Sequence, residues 1–202
     1  FFMSVGMGLD LRAVARDLGM ASSAVYRYVE SRDELLTRLI ITAYDAMADR
    51  VEADLRALPA SAATSRRFRA IATASRAWAK ENPHEYALIY GSPVPDYDAP
   101  AERTTIAGTR VPNLLVEVLA GLDHHDPGTA ADRRAMSVML QDPVFQASGL
   151  QAGTVRRGMT AWMLILGAIN TELFEMFGPD TITDWDALFD TVVDSAMQIV
   201  EG

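Results

Sequence analysis

The sequence predicts an all-α protein: an N-terminal helix-turn-helix unit joined by a long helix to a larger helical body. Three observations predict it. Half of the 202 residues are apolar, and they recur at spacings of three and four, the period of a helix buried on one face. Two short helical patterns flank a glycine-containing turn between Leu9 and Leu36, the signature of a helix-turn-helix. No stretch alternates apolar and polar residues as a strand meander would, and there is no internal repeat.

The elements follow in order. Asp10 can cap a first helix over Leu11–Leu18, where Leu11, Val14, Ala15 and Leu18 share a face. Gly19 stops it. A second helix runs from Ser22 to about Val29. Ser31 or Arg32 opens a long helix whose stripe is Leu35, Leu36, Leu39, Ile40, Ala43, Met47, Val51, Leu55 and Leu58, ended by Pro59. Thr64–Glu81 follows, with Phe68, Ile71, Ala74, Ala77 and Trp78 inward. Asn82-Pro83 breaks it, and Pro83 starts a short helix to Tyr90. GSPVPDYDAP, residues 91–100, is a proline-rich loop. A helix kinked near Pro112 is expected over Ala101–Leu119, and another over Ala130–Leu140. Asp142–Gly153 has no clear pattern. Thr154–Phe177 is the most apolar helix, and Asp184–Val200 closes the chain.

The front segment is similar to the DNA-binding domain of TetR-type transcriptional regulators. Their pattern is roughly T-x-R-x-I-A-x-x-A-G-V-S-x-x-x-L-Y-x-H-F-x-S-K-x-x-L. Arg12, Val14, Ala15, Leu18, Gly19, Met20, Val25, Tyr26, Tyr28, Val29, Ser31, Arg32 and Leu35 stand at matching places. Ala21, Tyr28 and Val29 depart from the usual serine, histidine and aromatic. The helix order of the body, and the Trp162 to Phe174 string W-x-x-x-x-G-x-x-x-x-E-x-F, add to the likeness. The resemblance implies two domains, residues 1–45 for DNA binding and 46–202 for ligand binding and dimerisation. It also implies a helix of about four turns ahead of the helix-turn-helix. Only FFMSV precedes Gly6, so residues are expected to be missing at the start.

Composition bounds the function. The chain carries −9 net charge and no cysteine, which excludes disulfides and thiolate metal sites. Residues 1–44 hold five Arg and five acidic residues; the other 13 basic and 22 acidic residues account for the whole deficit. An acidic body behind a neutral reading head discourages random DNA binding but permits contacts at a chosen site. FFMSVG lacks the basic region of a signal peptide. The longest apolar run, Ala161–Ile169, is far short of the roughly 20 residues that span a bilayer. A cytoplasmic protein with no membrane partner is expected.

Enzyme chemistry finds little support. Glu81-x-x-His84 has the spacing of a di-iron ligand pair, but it occurs once and Pro83 interrupts it. His124-His125 lies in a polar loop. Gly6-x-Gly8 lacks the third glycine of a dinucleotide fingerprint. No nucleophile–base–orienter set, metal or cofactor is expected. The reading is a ligand-responsive regulator, a repressor that binds a palindromic double-stranded DNA operator as a homodimer and is released by a small hydrophobic effector. A helical carrier or enzyme that ignores DNA is the alternative.

Residues can be assigned to each role. On the second helix Val25 and Val29 point into the domain, so Ser23, Ala24 and Arg27 face the groove. Arg27 can read a guanine edge. Ser22, Tyr26 and Tyr28 would touch phosphates, with Arg32 beside exposed helix amides as a further phosphate contact; alternatively both tyrosines pack in the hinge. Trp78, Tyr86, Tyr90, Arg110, Met139, Phe145, Trp162, Met163, Leu166 and Asn170 are candidates for an apolar effector pocket, with plain core packing as the alternative. In the Thr154–Phe177 helix, Met159, Trp162, Met163, Leu166, Ile169, Leu173 and Phe177 form the expected core face. Ala161, Leu164, Ile165 and Ala168 lie opposite, and with Ala196, Ile199 and Val200 they are expected to form a dimer interface. The alternative is that this face packs under Asp142–Gly153.

Overall fold

The computed structural model describes residues 31–122 and 125–202, which form nine α-helices and one short 3₁₀ turn, with no strand among them. The helix-turn-helix and the DNA-contact residues Ser22, Ser23, Ala24, Tyr26, Arg27 and Tyr28 lie outside the described residues.

The long helix α1 spans Arg32–Arg56. Ser31 caps it by accepting from the Glu34 amide, and Asp33 and Glu34 add negative charge to the first turn. Its stripe is buried as the periodicity predicts, through Leu36, Ile40, Ala43, Met47, Val51 and Leu55. Leu39 departs from it and stays 43% exposed. Helices α2 (Thr64–Glu81) and α3 (Pro83–Tyr90) form where expected, with Pro83 in the first turn of α3. The helix expected over Ala101–Leu119 is two helices, α4 (Ala101–Gly108) and α5 (Arg110–Ala120). The break falls at Thr109, three residues before Pro112, because Pro112 is accommodated in the first turn of α5, where its missing N–H costs nothing. The helix expected over Ala130–Leu140 shrinks to α6 (Ala130–Ala135), opened by a Thr129–Asp132 capping box, and a 3₁₀ turn at Met139–Gln141. The segment without a pattern holds α7 (Pro143–Ser148), capped by Asp142 and ended by Gly149 in the left-handed region.

The last two helices, α8 (Ala152–Leu173) and α9 (Trp185–Glu201), pack along each other. Helix α8 stops before Phe177 because Glu175 takes a φ of 48° and turns the chain out. Its orientation is turned from the expected one: Ile169 is in the core as expected, but Ala161 and Ile165 join it, while Met163 and Phe177 are exposed. Ala161, Ile165 and Ile169 face inward against Phe189, Val193, Ala196, Met197 and Val200, all in one core. Met163 is instead 59% exposed and Leu164 37% exposed. The small residues serve close packing within the chain. A Cβ on Gly158 would come within 2.3 Å of Leu119 Cδ1 on α5. Ala161, Ile165, Ala196 and Val200 are therefore core residues, and Ile199 is half-buried.

One close approach fixes the start of α8. The Gly153 and Thr154 amides both donate to Asp126 O, and the Asp126 amide donates to Thr154 Oγ1 at 2.8 Å. A Cβ at Gly153 would meet Asp126 Oδ2 at 2.3 Å and Gly128 N at 2.8 Å. The second neighbour is backbone and cannot swing aside. Gly153→Ala is expected to lower unfolding free energy by about 1–3 kcal/mol, as overpacking does, measured by urea denaturation.

Candidate functional site: an apolar groove beside the connecting helix

A groove of about 550 Å³ opens along the second to fourth turns of α1. One wall is Leu36, Leu39, Thr42, Ala43 and Ala46 of α1. Trp78 of α2, Asn82 at the α2–α3 junction, and His84, Glu85 and Leu88 of α3 make the second, and Ser92, Pro93, Val94 and Pro95 of the proline-rich loop make the third. The walls are mainly apolar, with a polar end at Asn82, His84 and Glu85. They contain a carboxylate and no Lys or Arg.

Of the ten sequence-derived effector candidates, Trp78 alone lines this groove. Tyr86 is fully buried behind it, in an aromatic run that crosses the body. Tyr44 of α1 meets Tyr90 edge-on with ring centroids 6.1 Å apart, Tyr90 meets Tyr86 at 5.3 Å, and Tyr86 meets Phe174 at 6.5 Å. Burial pushes all three tyrosine hydroxyls above their ordinary pKa, so they stay neutral and can only donate or accept hydrogen bonds. Met139, Phe145 and Trp162 are partly buried against the core, and Leu166 is half-buried. Met163 faces outward on a second groove, described below. The Tyr86 hydroxyl, Ser75 Oγ and Asn170 Oδ1 are buried with no hydrogen-bond partner, a cost of about 1–3 kcal/mol each unless water or a ligand meets them.

Arg110 has a different place from the one expected. Its guanidinium donates to Asp45 Oδ1 at 2.9 Å, Asp49 Oδ1 at 2.6 Å and Glu52 Oε1 at 2.8 Å. Hydrogen bonds to Asp49, Glu52 and Asp45 hold its pKa above the ordinary value. It is a clamp that ties α5 to the outer face of α1, and its charge is committed there. Glu81 bonds Arg50 at 3.0 Å, and His84 sits on the groove wall.

Arg32, expected to contact phosphate, donates through Nη2 to Pro95 O at 3.2 Å. Nearby, Glu34 accepts from Arg103 at 2.6 and 3.2 Å and from Arg38 at 2.6 Å. The hydrogen bonds from Arg103 and Arg38 hold the Glu34 carboxyl down to about 2, so it stays ionised across the physiological range.

In the sequence, Leu36, Leu39 and Ala43 carry only the signal of a packing stripe. Leu39 falls at the edge of the α1 stripe, and the proline-rich loop carries no side chain that announces binding. Nothing in the periodicity brings that loop over α1.

A second apolar groove lies between α8 and α9. Met163, Leu164, Gly167 and Ala168 face Phe177, Trp185, Leu188 and Val192 across about 360 Å³. A Cβ on Gly167 would have nothing within 4 Å. Leu164 and Ala168 are thus the members of the expected interface that are open to a partner.

Known proteins bear on this arrangement. The family model described as the tetracyclin repressor-like C-terminal domain matches residues 68–196. The chain is 42% identical over 189 residues to the HTH-type transcriptional regulators Rv1816 of Mycobacterium tuberculosis and Mb1846 of Mycobacterium bovis, covering 91% of this chain and 80% of each relative. Among solved structures, the regulatory protein SCO4313 superposes with a TM-score of 0.73 at 28% identity, covering 94% of this chain and 85% of that one. A TetR family transcription regulator from Shewanella has the same fold, with a TM-score of 0.58 at 13% identity over 96% of this chain and 86% of that one. None of the described helices is long and apolar enough to cross a membrane. An all-helical body behind a TetR-type recognition segment, matched over most of its length by transcriptional regulators, identifies the chain as a DNA-binding regulator of the TetR family.

Proposed function

We propose that the protein is an effector-responsive repressor, which binds a palindromic operator as a two-fold dimer and leaves it when a small apolar molecule fills the groove beside α1. The observation that carries this reading is the position of the groove. Its first wall runs from Leu36 to Ala46, the second to fourth turns of α1, and α1 follows the recognition segment directly in the sequence. An occupant therefore touches the described element nearest in sequence to that segment, the one best placed to pass a change on to it. Lining that includes Glu85 and no Lys or Arg favours an uncharged or cationic apolar molecule over an anion. Buried unpartnered oxygens on Ser75, Tyr86 and Asn170, carried on α2, α3 and α8, offer polar handles for an effector that reaches inward past Trp78.

The α8–α9 groove supports the dimer. Met163, Leu164, Phe177 and Leu188 are large apolar side chains left exposed on one side, and Gly167 and Ala168 let a partner helix approach. A single recognition helix reads too few base pairs, whereas a two-fold pair reads half-sites about one helical turn apart. The protein acts by binding rather than catalysis, as its relatives are named regulators, and works in the cytoplasm, where its DNA lies.

The test is selection of bound fragments from genomic DNA. An inverted repeat should be enriched. Arg27→Ala should then relax preference at one base position in each half-site, by roughly 1–3 kcal/mol per site. Ser22, Tyr26 and Tyr28 are assigned to phosphates, so their alanine variants should weaken binding evenly across sequences. Unchanged affinity and preference in Arg27→Ala would show the helix to be turned the other way.

A further inference from the structure

The segment from Gly91 to Gly108 does two things at once. Its loop, Ser92–Pro95, forms one wall of the groove. Pro95 and the residues that follow it also grip the first two turns of α1. Arg32 donates to Pro95 O, Tyr97 and Thr37 share a hydrogen bond of 2.8 Å, and Arg103 pairs with Glu34 through both terminal nitrogens. The Thr37 hydroxyl proton is already given to Asp33 O at 2.8 Å, so Tyr97 is the donor in their bond. Thr37 is buried, and without Tyr97 its oxygen would accept no hydrogen bond.

We infer that Gly91–Gly108 is a strap through which an occupant of the groove fixes the start of α1. This rests on the reading of the groove as the effector site. The sign follows from the geometry. An occupant adds apolar contact to the strap and to α1 together, covering Leu39 and the two prolines, so it strengthens the hold between them. The same hold keeps the Arg32 guanidinium on Pro95 O, away from any phosphate. Tyr97 and Arg103 are positioning residues in this device, since neither lines the groove. Linkage requires the reverse effect as well. Loosening the grip must weaken binding in the groove by the factor that binding tightens the grip.

The experiment uses the full chain and the neutral apolar fluorophore N-phenyl-1-naphthylamine. Amide hydrogen exchange is followed in the wild type and in Tyr97→Phe/Arg103→Gln, each at saturating fluorophore and without it. In the wild type the fluorophore should slow exchange over residues 84–95 and, at least threefold, over 33–38. In the double variant residues 84–95 should still be protected at saturation, while 33–38 exchange fast and no longer respond. Its dissociation constant should rise at least threefold, and Tyr97→Phe/Arg103→Lys should recover part of that loss. Protection of 33–38 that persists in the saturated double variant would mean that direct contact, not the strap, orders α1, and would overturn the inference while leaving the groove intact. Absence of fluorophore protection at 84–95 in the wild type would overturn the groove reading itself, and the strap with it. Tyr97→Phe alone removes one hydrogen bond and gives the same comparison if the double variant does not fold.

Discussion

Ala168→Arg should turn the proposed dimer into monomers and abolish operator binding while leaving the helical content intact. Ala168 lies on the α8–α9 groove, beside Gly167, around which a Cβ would find open space. A guanidinium there costs the single chain little, because it reaches solvent. In a two-fold interface it is buried twice, facing apolar side chains and, near the axis, its own copy. An unpaired buried charge costs several kcal/mol, enough to shift a dimer of ordinary affinity into the monomer at working concentrations. Light scattering and circular dichroism read the two halves of the expectation. A variant that remains dimeric puts the interface on another face. Ile165→Arg is the useful contrast. Ile165 is in the core, so that change should unfold the body rather than dissociate it.

The second large effect is on stability. Arg76 is 11% exposed and joins three helices. It donates to Glu172 of α8 through Nε at 2.6 Å and Nη2 at 2.9 Å, pairs with Asp186 of α9 at 2.7 Å, and stacks over the Phe189 ring at 4.8 Å. Glu172 is 9% exposed and also takes Lys80 at 2.9 Å. Burial alone would raise the Glu172 pKa, but the hydrogen bonds from Arg76 and Lys80 outweigh it and hold the value below the ordinary 4.5. Arg76→Ala leaves a buried carboxylate with Lys80 alone and removes the guanidinium stack. A loss of about 3 kcal/mol is expected, or roughly 6–12 °C in Tm for a chain of this size. The pH dependence follows from the depressed pKa. The unfolded chain takes up the Glu172 proton first as pH falls, so this contribution is complete above about pH 4.5 and is lost as pH drops through the folded value. Arg76→Ala should flatten that part of the stability curve. Equal melting temperatures for the two proteins at pH 7 would show the cluster to contribute nothing.

How much of this was legible in the sequence differs by element. Helices α1, α2 and α3 were readable because each boundary carries its own local signal: Ser31 and Pro59, Asn82-Pro83, then Gly91. The split of α4 from α5 was not, since Thr109 gives no such signal and Pro112 attracted the break to itself. The face of α8 was misjudged for a physical reason. The helix is apolar almost all round, so the pattern does not say which side is inside. Large residues were given to the core and small ones to a partner. In the structure Ala161 and Gly158 sit inside, because α5 and α9 come close there, and Met163 is left outside. Trp78 was found in the groove and Arg110 was not, because a long-range ion cluster with Asp45, Asp49 and Glu52 depends on how α5 lies across α1. The loop wall at Ser92–Pro95 depends equally on tertiary placement.

The measurement that bears most directly on the central claim is operator affinity with the groove filled and empty. A fragment enriched from genomic DNA is titrated by anisotropy, first alone and then with a saturating apolar effector found by thermal shift and mapped to the α1 groove. The account predicts tight binding by the dimer and at least a tenfold weaker Kd with the groove filled, since an effector shifts the equilibrium only by its preference for the released form. Identical affinities under the two conditions would contradict it.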